Sequence, residues 1–465
     1  MSRIVVLGGG VVGLSTAMML AQQGHDVTVV ERDGEPLPAS PDDAWCAWER
    51  RGVAQFRQPH FLQPAGRQIL DRHLPEVTES LRRAGGVTFD LSRMLPPSIT
   101  DRAPRPGDGR FVTVTGRRPT VEYAVASVAE RFVSVVRGVA IRELLTGPAP
   151  LNGTPHIAGV RTTNGAELPA DLVVDAMGRR SKLPDWLEAV GARRPIEESE
   201  ESSFIYYTRF FRSTTGAVPA HRAGVVTHFH SFSLLTLPGD ADTWSVTVFI
   251  FSGDPALKAL RDPARWTALV GACPLHAHWL DGEPITEVLP MGGVTNRYRR
   301  FVVDGVPVAT GIVSVGDAWA CTNPIGGRGI SIGLTQALGT AEVVRDHLDD
   351  PLALALAHDA MTEARVTPWY RCTVAFDRLR TVQIQAAIQG RPAQQPAGPE
   401  SALGVAMLYD ADLFRNFLEI MSVLALPQEV MARPGVKDRI MEVAGTHEAA
   451  VPPAPSRDEL LRLVA

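Results

Sequence analysis

Three glycines near the start of the chain constrain its fold more than any other feature. Gly8, Gly10 and Gly13 follow a short apolar run at residues 4–7, and a helical pattern at residues 12–23 begins just before the last of them. In a GxGxxG turn the first glycine permits a tight bend, the second lets a pyrophosphate approach the backbone, and the third allows close packing of helix on strand. The pattern therefore predicts a βαβ unit, a parallel sheet and a dinucleotide-binding turn.

The groups that would hold the dinucleotide follow from this unit. A helix N-terminus offers free N–H groups and a positive dipole end to phosphates, so Val11 and Val12 are predicted contacts. A second strand pattern, residues 26–31, ends at Glu31 and is followed by Arg32, which is also a predicted contact. The Glu31 carboxylate would accept hydrogen bonds from ribose hydroxyls and disfavours a 2′-phosphate. NADP is therefore not expected at this turn, whereas NAD and FAD both stay open.

Two later stretches combine the end of an apolar run with an acid and glycines. The first, DLVVDAMGRRSKL, contains Asp175, Gly178, Arg179 and Ser181, and the second, VGDAWACTNPIGGRGIS, contains Gly316, Asp317, Pro324, Gly327 and Gly329. Together with the N-terminal turn, these motifs resemble those of the FAD-dependent monooxygenases of the aromatic-hydroxylase type, a family that includes flavin epoxidases. The resemblance covers about residues 1–350.

The resemblance implies that one FAD binds across all three motifs. Asp317 resembles the family acid that hydrogen-bonds the ribityl or ribose hydroxyls. Pro324, Gly327 and Gly329 form a loop that resembles the family's P-x-x-G-x-G segment, and Ile330 follows it. The resemblance implies that this loop would lie beside the pyrimidine edge of the flavin. Ser331 stands where the family often has Asn.

The remaining cofactor contacts that the resemblance implies come from separate parts of the chain. Asp175 and Gly178 belong to the second motif, and Arg118 opens a helical pattern. Arg57 is a second candidate arginine, and Val139 would touch the adenine through its backbone. Other interpretations stay open for three of them: Arg118 and Arg57 could be surface charges, and Asp175 could be half of a structural ion pair.

The strand and helix patterns divide the chain into four segments. Residues 1–200 form the first part of an FAD-binding domain, 201–300 a strand-rich substrate domain, 301–350 the return to the FAD-binding domain, and 351–465 a mainly helical C-terminal region. The predicted fold class is α/β, with a Rossmann-like domain, an inserted mainly β domain and C-terminal helices. The Pro-, Gly- and Gln-rich stretch 389–402 is predicted to be a flexible loop.

Composition excludes several classes of protein. A net charge of −5 provides no electrostatic footprint for nucleic acid. The four cysteines stand at isolated positions, which favours a reducing compartment and predicts a cytoplasmic protein. Glycines interrupt the N-terminal apolar run, which argues against a signal peptide, and no other stretch is apolar enough for stable membrane insertion. The oligomeric state stays open.

Histidines are the candidates for acid–base chemistry, although no catalytic side chain is assigned. His60, His228 and His230 are the candidate bases. His228 with His230, and His276 with His278, form two His-x-His pairs. The members of a pair face the same side if they lie on a strand, and a loop position for one of the pairs stays open. Because no cysteine or acid cluster accompanies either pair, no metal is predicted.

The resemblance also implies an activity. A monooxygenase of this family inserts one oxygen atom from O2, by hydroxylation or epoxidation, through a flavin C4a-hydroperoxide. An apolar or aromatic small molecule is the expected substrate, in secondary metabolism, and the strand-rich block is the expected roof of its cavity. Electrons would come from NAD(P)H. The sequence has no second GxGxxG unit and so no dedicated NAD(P)H-binding domain of its own, which agrees both with direct reduction and with a separate flavin reductase. Two alternatives stay open: an FAD-dependent dehydrogenase or reductase of the same fold, and a redox-silent protein that uses FAD structurally.

Overall fold

A computed structural model describes residues 1–391, 398–447 and 452–465. Part of the predicted flexible loop, residues 392–397, lies outside the described residues. The strands are β1 Arg3–Leu7, β2 Asp26–Glu31, β3 Val87–Asp90, β4 Val112–Thr115, β5 Ser134–Arg137, β6 Ile141–Leu151, β7 Thr154–Thr162, β8 Glu167–Pro169, β9 Leu172–Asp175, β10 Ile196–Glu201, β11 Phe204–Arg212, β12 Val226–His228, β13 Phe232–Pro238, β14 Thr243–Phe251, β15 Glu283–Pro284, β16 Leu289–Met291, β17 Thr295–Arg300, β18 Val302–Val303, β19 Val306–Pro307, β20 Ile312–Ser314 and β21 Ala320–Cys321. The helices are α1 Val11–Ala21, α2 Pro41–Cys46, α3 Pro64–His73, α4 Pro75–Arg83, α5 Arg118–Ala129, α6 Leu183–Ala189, α7 Pro263–Gly271, α8 Gly329–His347, α9 Pro351–Arg365, α10 Thr367–Ile388, α11 Pro399–Ala406, α12 Ala411–Met421, α13 Pro427–Met431, α14 Val436–Thr446 and α15 Arg457–Val464.

A five-stranded parallel sheet organises the N-terminal part of the molecule. Its strand order is β20-β9-β1-β2-β5, and every neighbouring pair runs parallel. The central strands are apolar along their length because both faces are covered, with α1, α5 and α8 on one side. The strand–turn–helix order that GxGxxG predicts is confirmed.

The inserted segment folds into a six-stranded antiparallel sheet. Its order is β12-β13-β14-β11-β15, and β16 also pairs with β11. The side chains alternate between two faces: Val246, Val248 and Ile250 pack into a core with α7 and α15, whereas Tyr206 and Phe249 lie on the other face. The fold class is thereby confirmed as α/β with an inserted mainly β unit.

The C-terminal helices are distributed over both parts of the molecule. Helix α9 packs on α8, α10 contacts β14, and α15 packs on α7, with Leu460 and Val464 in the core of the inserted sheet. The mainly helical character predicted for this region is confirmed. The division at residues 200, 300 and 350 stays a prediction, although β20 does return to the parallel sheet. Among the described residues, no helix combines the length and apolar character needed to cross a membrane.

A buried histidine between α8 and α9 makes the stability of the fold depend on pH. Thr340 Oγ1 donates to the Gln336 carbonyl at 2.8 Å, so it accepts from His358 Nε2 at 3.1 Å. Burial lowers the pKa of His358 from 6.5 to about 4. Because the folded-state pKa is depressed, its contribution to stability is complete above pH 6.5 and is lost as the pH falls towards 4.

The variant His358→Gln tests this dependence, since its amide still donates to Thr340 but does not titrate. Between pH 6.5 and 4, the free energy of unfolding should fall less in the variant than in the parent, by up to about 3 kcal/mol. Urea unfolding at a series of pH values measures the difference. His347→Gln, at the partly exposed end of α8, is the control and should follow the parent. Parallel curves for His358→Gln and the parent would contradict the prediction.

Candidate active site

A cavity of about 370 Å³ lies between the carboxyl edge of the parallel sheet and the inserted sheet. Its walls bring together segments from all three sequence motifs, because β1, β9 and β20 are neighbours and end at the same edge. The predicted site residues that line it are Gly8, Gly10, Val11, Val12, Gly13, Glu31, Arg32, His60, Arg118, Val139, Gly178, Asp317, Pro324, Gly327, Gly329 and Ile330. Their individual contacts with a cofactor stay predictions.

The N-terminal turn places each glycine in a different environment. A Cβ on Gly8 would lie 2.5 Å from the carbonyl oxygen of Ala176, and one on Gly13 would lie 2.2 Å from the carbonyl oxygen of Gly8. A Cβ on Gly10 would meet no atom within 4 Å, and Gly10 has an ordinary φ of −83°. The turn is therefore tightly packed at Gly8 and Gly13, whereas Gly10 leaves an open cradle in front of the α1 N-terminus.

Glu31 is held in place by a buried arginine that the sequence motifs do not identify. Its Oε2 accepts from the Gly9 N–H at 2.8 Å and from Arg50 at 3.0 Å, and its Oε1 accepts from the Asp33 N–H at 2.9 Å. Arg50 also pairs with Asp33 and Glu122, at 3.4 and 3.2 Å. Burial opposes the charge of Arg50, but the carboxylates of Glu122, Glu31 and Asp33 raise its pKa. Oε1 keeps acceptor capacity for a ribose hydroxyl.

Two residues predicted to contact the cofactor, Arg57 and Asp175, are not part of the cavity lining. Arg57 lies outside the cavity lining: its guanidinium donates to the carbonyls of Ala44 and Trp48, both at 3.1 Å. Asp175 is fully buried and closes its own turn, accepting from the Met177 N–H at 3.0 Å and from Ser181 Oγ at 2.5 Å. Burial raises the pKa of Asp175 to about 6, and its hydrogen-bond partners are these turn groups and Ser314 Oγ, at 3.5 Å, rather than Arg179.

Arg118 does line the cavity, although its guanidinium is not free. Its Nε and Nη2 lie 2.8 and 2.6 Å from Glu122 Oε1. The interpretation of Arg118 as a solvated surface charge is therefore replaced by a partly buried ion pair at the cavity wall.

Asp317 lines the cavity, and its carboxylate has no hydrogen-bond donor among the residues that the structure describes. Among the described residues no side-chain hydrogen bond reaches its carboxylate, although Arg118, Arg179 and Arg297 lie near enough to influence it. Burial raises the pKa of Asp317, and these arginines oppose the rise. An acceptor of this kind fits a sugar or ribityl hydroxyl, which supplies the missing donor.

The loop of the third motif is fastened to its neighbours on both sides. Gln63 Nε2 donates to the Gly326 carbonyl at 2.9 Å, and Arg328 donates to Thr373 Oγ1 at 3.1 Å. Ser331, which stands where the family often has Asn, is fully buried and donates to the Gln63 carbonyl at 3.3 Å. Ser331 thus holds the loop against a neighbouring segment of the chain.

A buried polar network behind this loop was not foreseen from the sequence. Tyr206 donates its hydroxyl to Asn323 Oδ1, and Asn323 Nδ2 donates to Asp377 Oδ1 at 2.9 Å. Asp377 Oδ2 accepts from Asn296 Nδ2 at 2.9 Å. Burial raises the pKa of Asp377, against the effect of the two amide donors. Helix α10 therefore orients the residue that precedes Pro324.

The inserted sheet contributes an apolar wall opposite the motifs. Tyr206, Leu235, Phe249 and Met291 line the cavity from β11, β13, β14 and β16, and Phe61 joins them from the N-terminal part. This arrangement agrees with the expected roof of a substrate cavity.

The candidate histidines divide between the cavity and the surface. His60 lines the cavity. His228 and His230 are exposed and outside the lining, and His228 Nδ1 lies 2.9 Å from Ser233 Oγ, so their positions do not support a role as base. His276 and His278 bond Thr227 and the Ala220 carbonyl. Within the described residues, no group of three or more His, Cys, Asp and Glu is arranged to hold a metal.

Comparisons with known proteins identify the family. A family model described as FAD dependent oxidoreductase matches residues 3–41. Protein Rv3254 of Mycobacterium tuberculosis (strain ATCC 25618 / H37Rv) is 30% identical over an alignment of 365 residues, and the match covers 72% of this chain and 71% of that protein. The chain belongs to the FAD-dependent oxidoreductase family. The open cradle at Gly10 and the unpartnered carboxylate of Asp317 fit FAD.

Two solved structures are similar in fold to this oxidoreductase. The anhydrotetracycline hydroxylase OxyS of Streptomyces rimosus is 17% identical with a TM-score of 0.59, over 91% of this chain and 76% of that one. The Diels-Alderase PyrE3 of pyrroindomycin biosynthesis is 19% identical with a TM-score of 0.58, over 97% and 82%. At such identities the likeness shows the fold alone. The resemblance to aromatic-hydroxylase-type flavoproteins is thereby confirmed at the level of fold and FAD-dependent family.

The variant Gly10→Leu tests the cradle. Because a Cβ at this position meets no protein atom within 4 Å and the backbone has an ordinary φ, the variant should fold normally, but its side chain would occupy the place of a pyrophosphate. FAD affinity should fall roughly tenfold or more. Fluorescence titration with FAD measures the affinity. Gly404→Leu, at an exposed and equally open position in α11, should leave it unchanged. Unaltered FAD affinity in Gly10→Leu would contradict the assignment.

The variant Asp377→Asn tests the network behind the loop. The new side-chain amide would place its own NH2 group against the NH2 group of Asn296 or of Asn323, so one buried donor would lack an acceptor. This should lower the free energy of unfolding by about 1–3 kcal/mol. FAD affinity should fall as well, because the loop that begins at Pro324 loses its anchor. Urea unfolding and FAD titration measure the two effects. The exposed Asp349→Asn variant should match the parent in both.

Proposed function

We propose that this oxidoreductase is an FAD-dependent monooxygenase that inserts one oxygen atom from O2 into an apolar or aromatic small molecule, by hydroxylation or epoxidation. The observation that carries the proposal is the composition of the cavity. One end is lined by the motifs that fit FAD, and the other by aromatic and aliphatic side chains of the inserted sheet. An oxygen-transfer site needs both, with the substrate enclosed and water excluded.

FAD, when bound, would supply the redox chemistry by which a reduced flavin reacts with O2. Overall, one substrate molecule, O2, NAD(P)H and a proton give the oxygenated product, water and NAD(P)+. We infer NAD(P)H as the electron donor, acting directly or through a separate flavin reductase. The cytoplasmic location expected from the isolated cysteines also stays a prediction.

Some residues of the chain would bind FAD, and others would bind the substrate and shield it from water. The α1 N-terminus would stabilise phosphate charge, and Glu31 and Asp317 would accept hydrogen bonds from hydroxyl groups. The loop before α8 would offer backbone N–H groups to negative charge on the ring system, assisted by the helix dipole. The apolar wall containing Leu235 and Phe249 would orient the substrate and exclude water.

Oxygen uptake by the FAD-loaded protein tests the proposal. NADH, NADPH, or either one with an added flavin reductase, should support uptake that rises with aromatic compounds, and label from ¹⁸O2 should enter the product. A protein that takes up no FAD would contradict the proposal. Bound FAD that oxidises substrate without incorporating label would favour the dehydrogenase alternative. Bound FAD without turnover under any donor would favour the redox-silent alternative, a candidate because a Diels-Alderase shares the fold.

A matched pair of variants tests the apolar wall. Leu235 and Val226 are partners on neighbouring strands and are both partly buried, but only Leu235 lines the cavity. Leu235→Asn should raise KM for an apolar substrate roughly tenfold, with FAD affinity unchanged, because a polar group is placed against it. Val226→Asn should leave KM near the parent value. Equal effects of the two variants would contradict a substrate role for this wall.

A further inference from the structure

The segment at residues 50–63 crosses between the two ends of the cavity. Phe61 lies against the loop of the third motif, with its Cβ 3.6 Å from where a Cβ on Gly327 would stand. Three residues earlier, Gln58 Oε1 accepts from Thr208 Oγ1 of the inserted sheet at 2.8 Å. His60 therefore lies where the FAD-binding motifs and the apolar wall meet.

Most polar side chains of this segment are bound by the protein. Arg50 is held by carboxylates, Arg57 by two carbonyls, Gln58 by Thr208, and Gln63 by Gly326, as described above. These bonds hold the backbone on both sides of residue 60, and the His60 carbonyl itself accepts from a threonine hydroxyl at 3.3 Å.

His60 differs from these residues, because it lines the cavity and its ring has no hydrogen-bond partner in the described part of the chain. Its Nε2 is buried and unpartnered, and neither ring nitrogen makes a hydrogen bond with the part of the chain that the structure describes. Burial, together with the nearby charge of Arg118, lowers the pKa of His60 well below 6.5, so the imidazole is neutral near pH 7. A neutral imidazole offers one N–H donor and one acceptor.

The surroundings of His60 restrict what its partner can be. The inserted sheet supplies only Tyr206, Leu235, Phe249 and Met291 to the cavity, and none of these is cationic. Arg118 is already paired with Glu122. A substrate carboxylate packed against this wall would be desolvated with no cation from the inserted sheet to pair with it, because the lining cations all lie in the segments of the N-terminal part. An uncharged hydroxyl can both donate and accept.

We propose that His60 determines substrate specificity by hydrogen-bonding a hydroxyl group on an uncharged aromatic substrate. The inference rests on the proposed function, because it names the class of molecule that the apolar end of the cavity accepts. The imidazole positions the ring against the apolar wall, and the hydroxyl completes the hydrogen bonding of a nitrogen that the protein leaves unpaired.

Three probes of one ring system test the proposal: 1-naphthol, its methyl ether 1-methoxynaphthalene, and 1-naphthoate. With the FAD-loaded protein, dissociation constants are measured by isothermal titration calorimetry. 1-Naphthol should bind about tenfold more tightly than either other probe, the difference expected for one buried hydrogen bond. Equal binding of naphthol and its ether, tighter binding of naphthoate, or no binding of naphthol would each overturn the proposal.

Variants then assign the preference to His60. His60→Phe should abolish the preference for naphthol over the ether while changing the ether's affinity less than about threefold, and His60→Gln, whose amide both donates and accepts, should restore part of it. His228→Phe, at an exposed position outside the cavity, should behave as the parent. A purely structural role for His60 would weaken both probes equally and would reduce FAD content.

The binding test does not depend on turnover, so the two proposals fail separately. If the preference for naphthol depends on His60 but the protein incorporates no oxygen, the monooxygenase proposal is wrong and the binding role of His60 is retained. Oxygen incorporation with no such preference would do the reverse.

Discussion

The site depends on the parallel pairing of β9 between β1 and β20. The register sets Asp175 beside both Leu7 and Ser314, at the last residue of each strand. Because parallel strands end at the same edge, the turns that follow them must lie side by side. Three segments that are distant in sequence therefore form one continuous wall, and the hydrogen bonds of Asp175 to Met177 and Ser181 fix the turn of the middle segment.

Charges at this edge are stabilised mainly by one another. Arg50 stands among three carboxylates, and Glu122 is shared with Arg118. A buried group of this kind is weak evidence for net stability, because desolvation offsets much of the attraction. Its structural effect is directional, since the Gly9 N–H and Arg50 together fix the carboxylate of Glu31 beside the glycine turn. At the opposite end, the lining side chains Leu235, Phe249 and Met291 are uncharged, and packing shapes this part of the wall.

Features that a few consecutive residues encode could be predicted from the sequence, and those created by distant contacts could not. The strand at residues 26–31 matches β2, and Asp317 reaches the cavity, because both follow from local patterns. Arg50 and Arg57 occupy the same irregular segment, which has no periodicity to show which arginine turns inwards. Asp377 meets Asn323 only because α10 packs behind the loop, a tertiary contact that no local pattern records.

The two ends of the cavity differ in how freely they can change. The FAD end is built from backbone turns, where a Cβ on Gly8 or Gly13 would collide with carbonyl oxygens. The opposite wall is one face of an antiparallel sheet, and strand alternation separates Phe249 from the core residues Val248 and Ile250 on the other face. Side chains of the wall can therefore be exchanged without disturbing that core. The end of the cavity that carries the glycine turns is therefore constrained by the backbone, whereas the wall opposite it is defined by a few side chains.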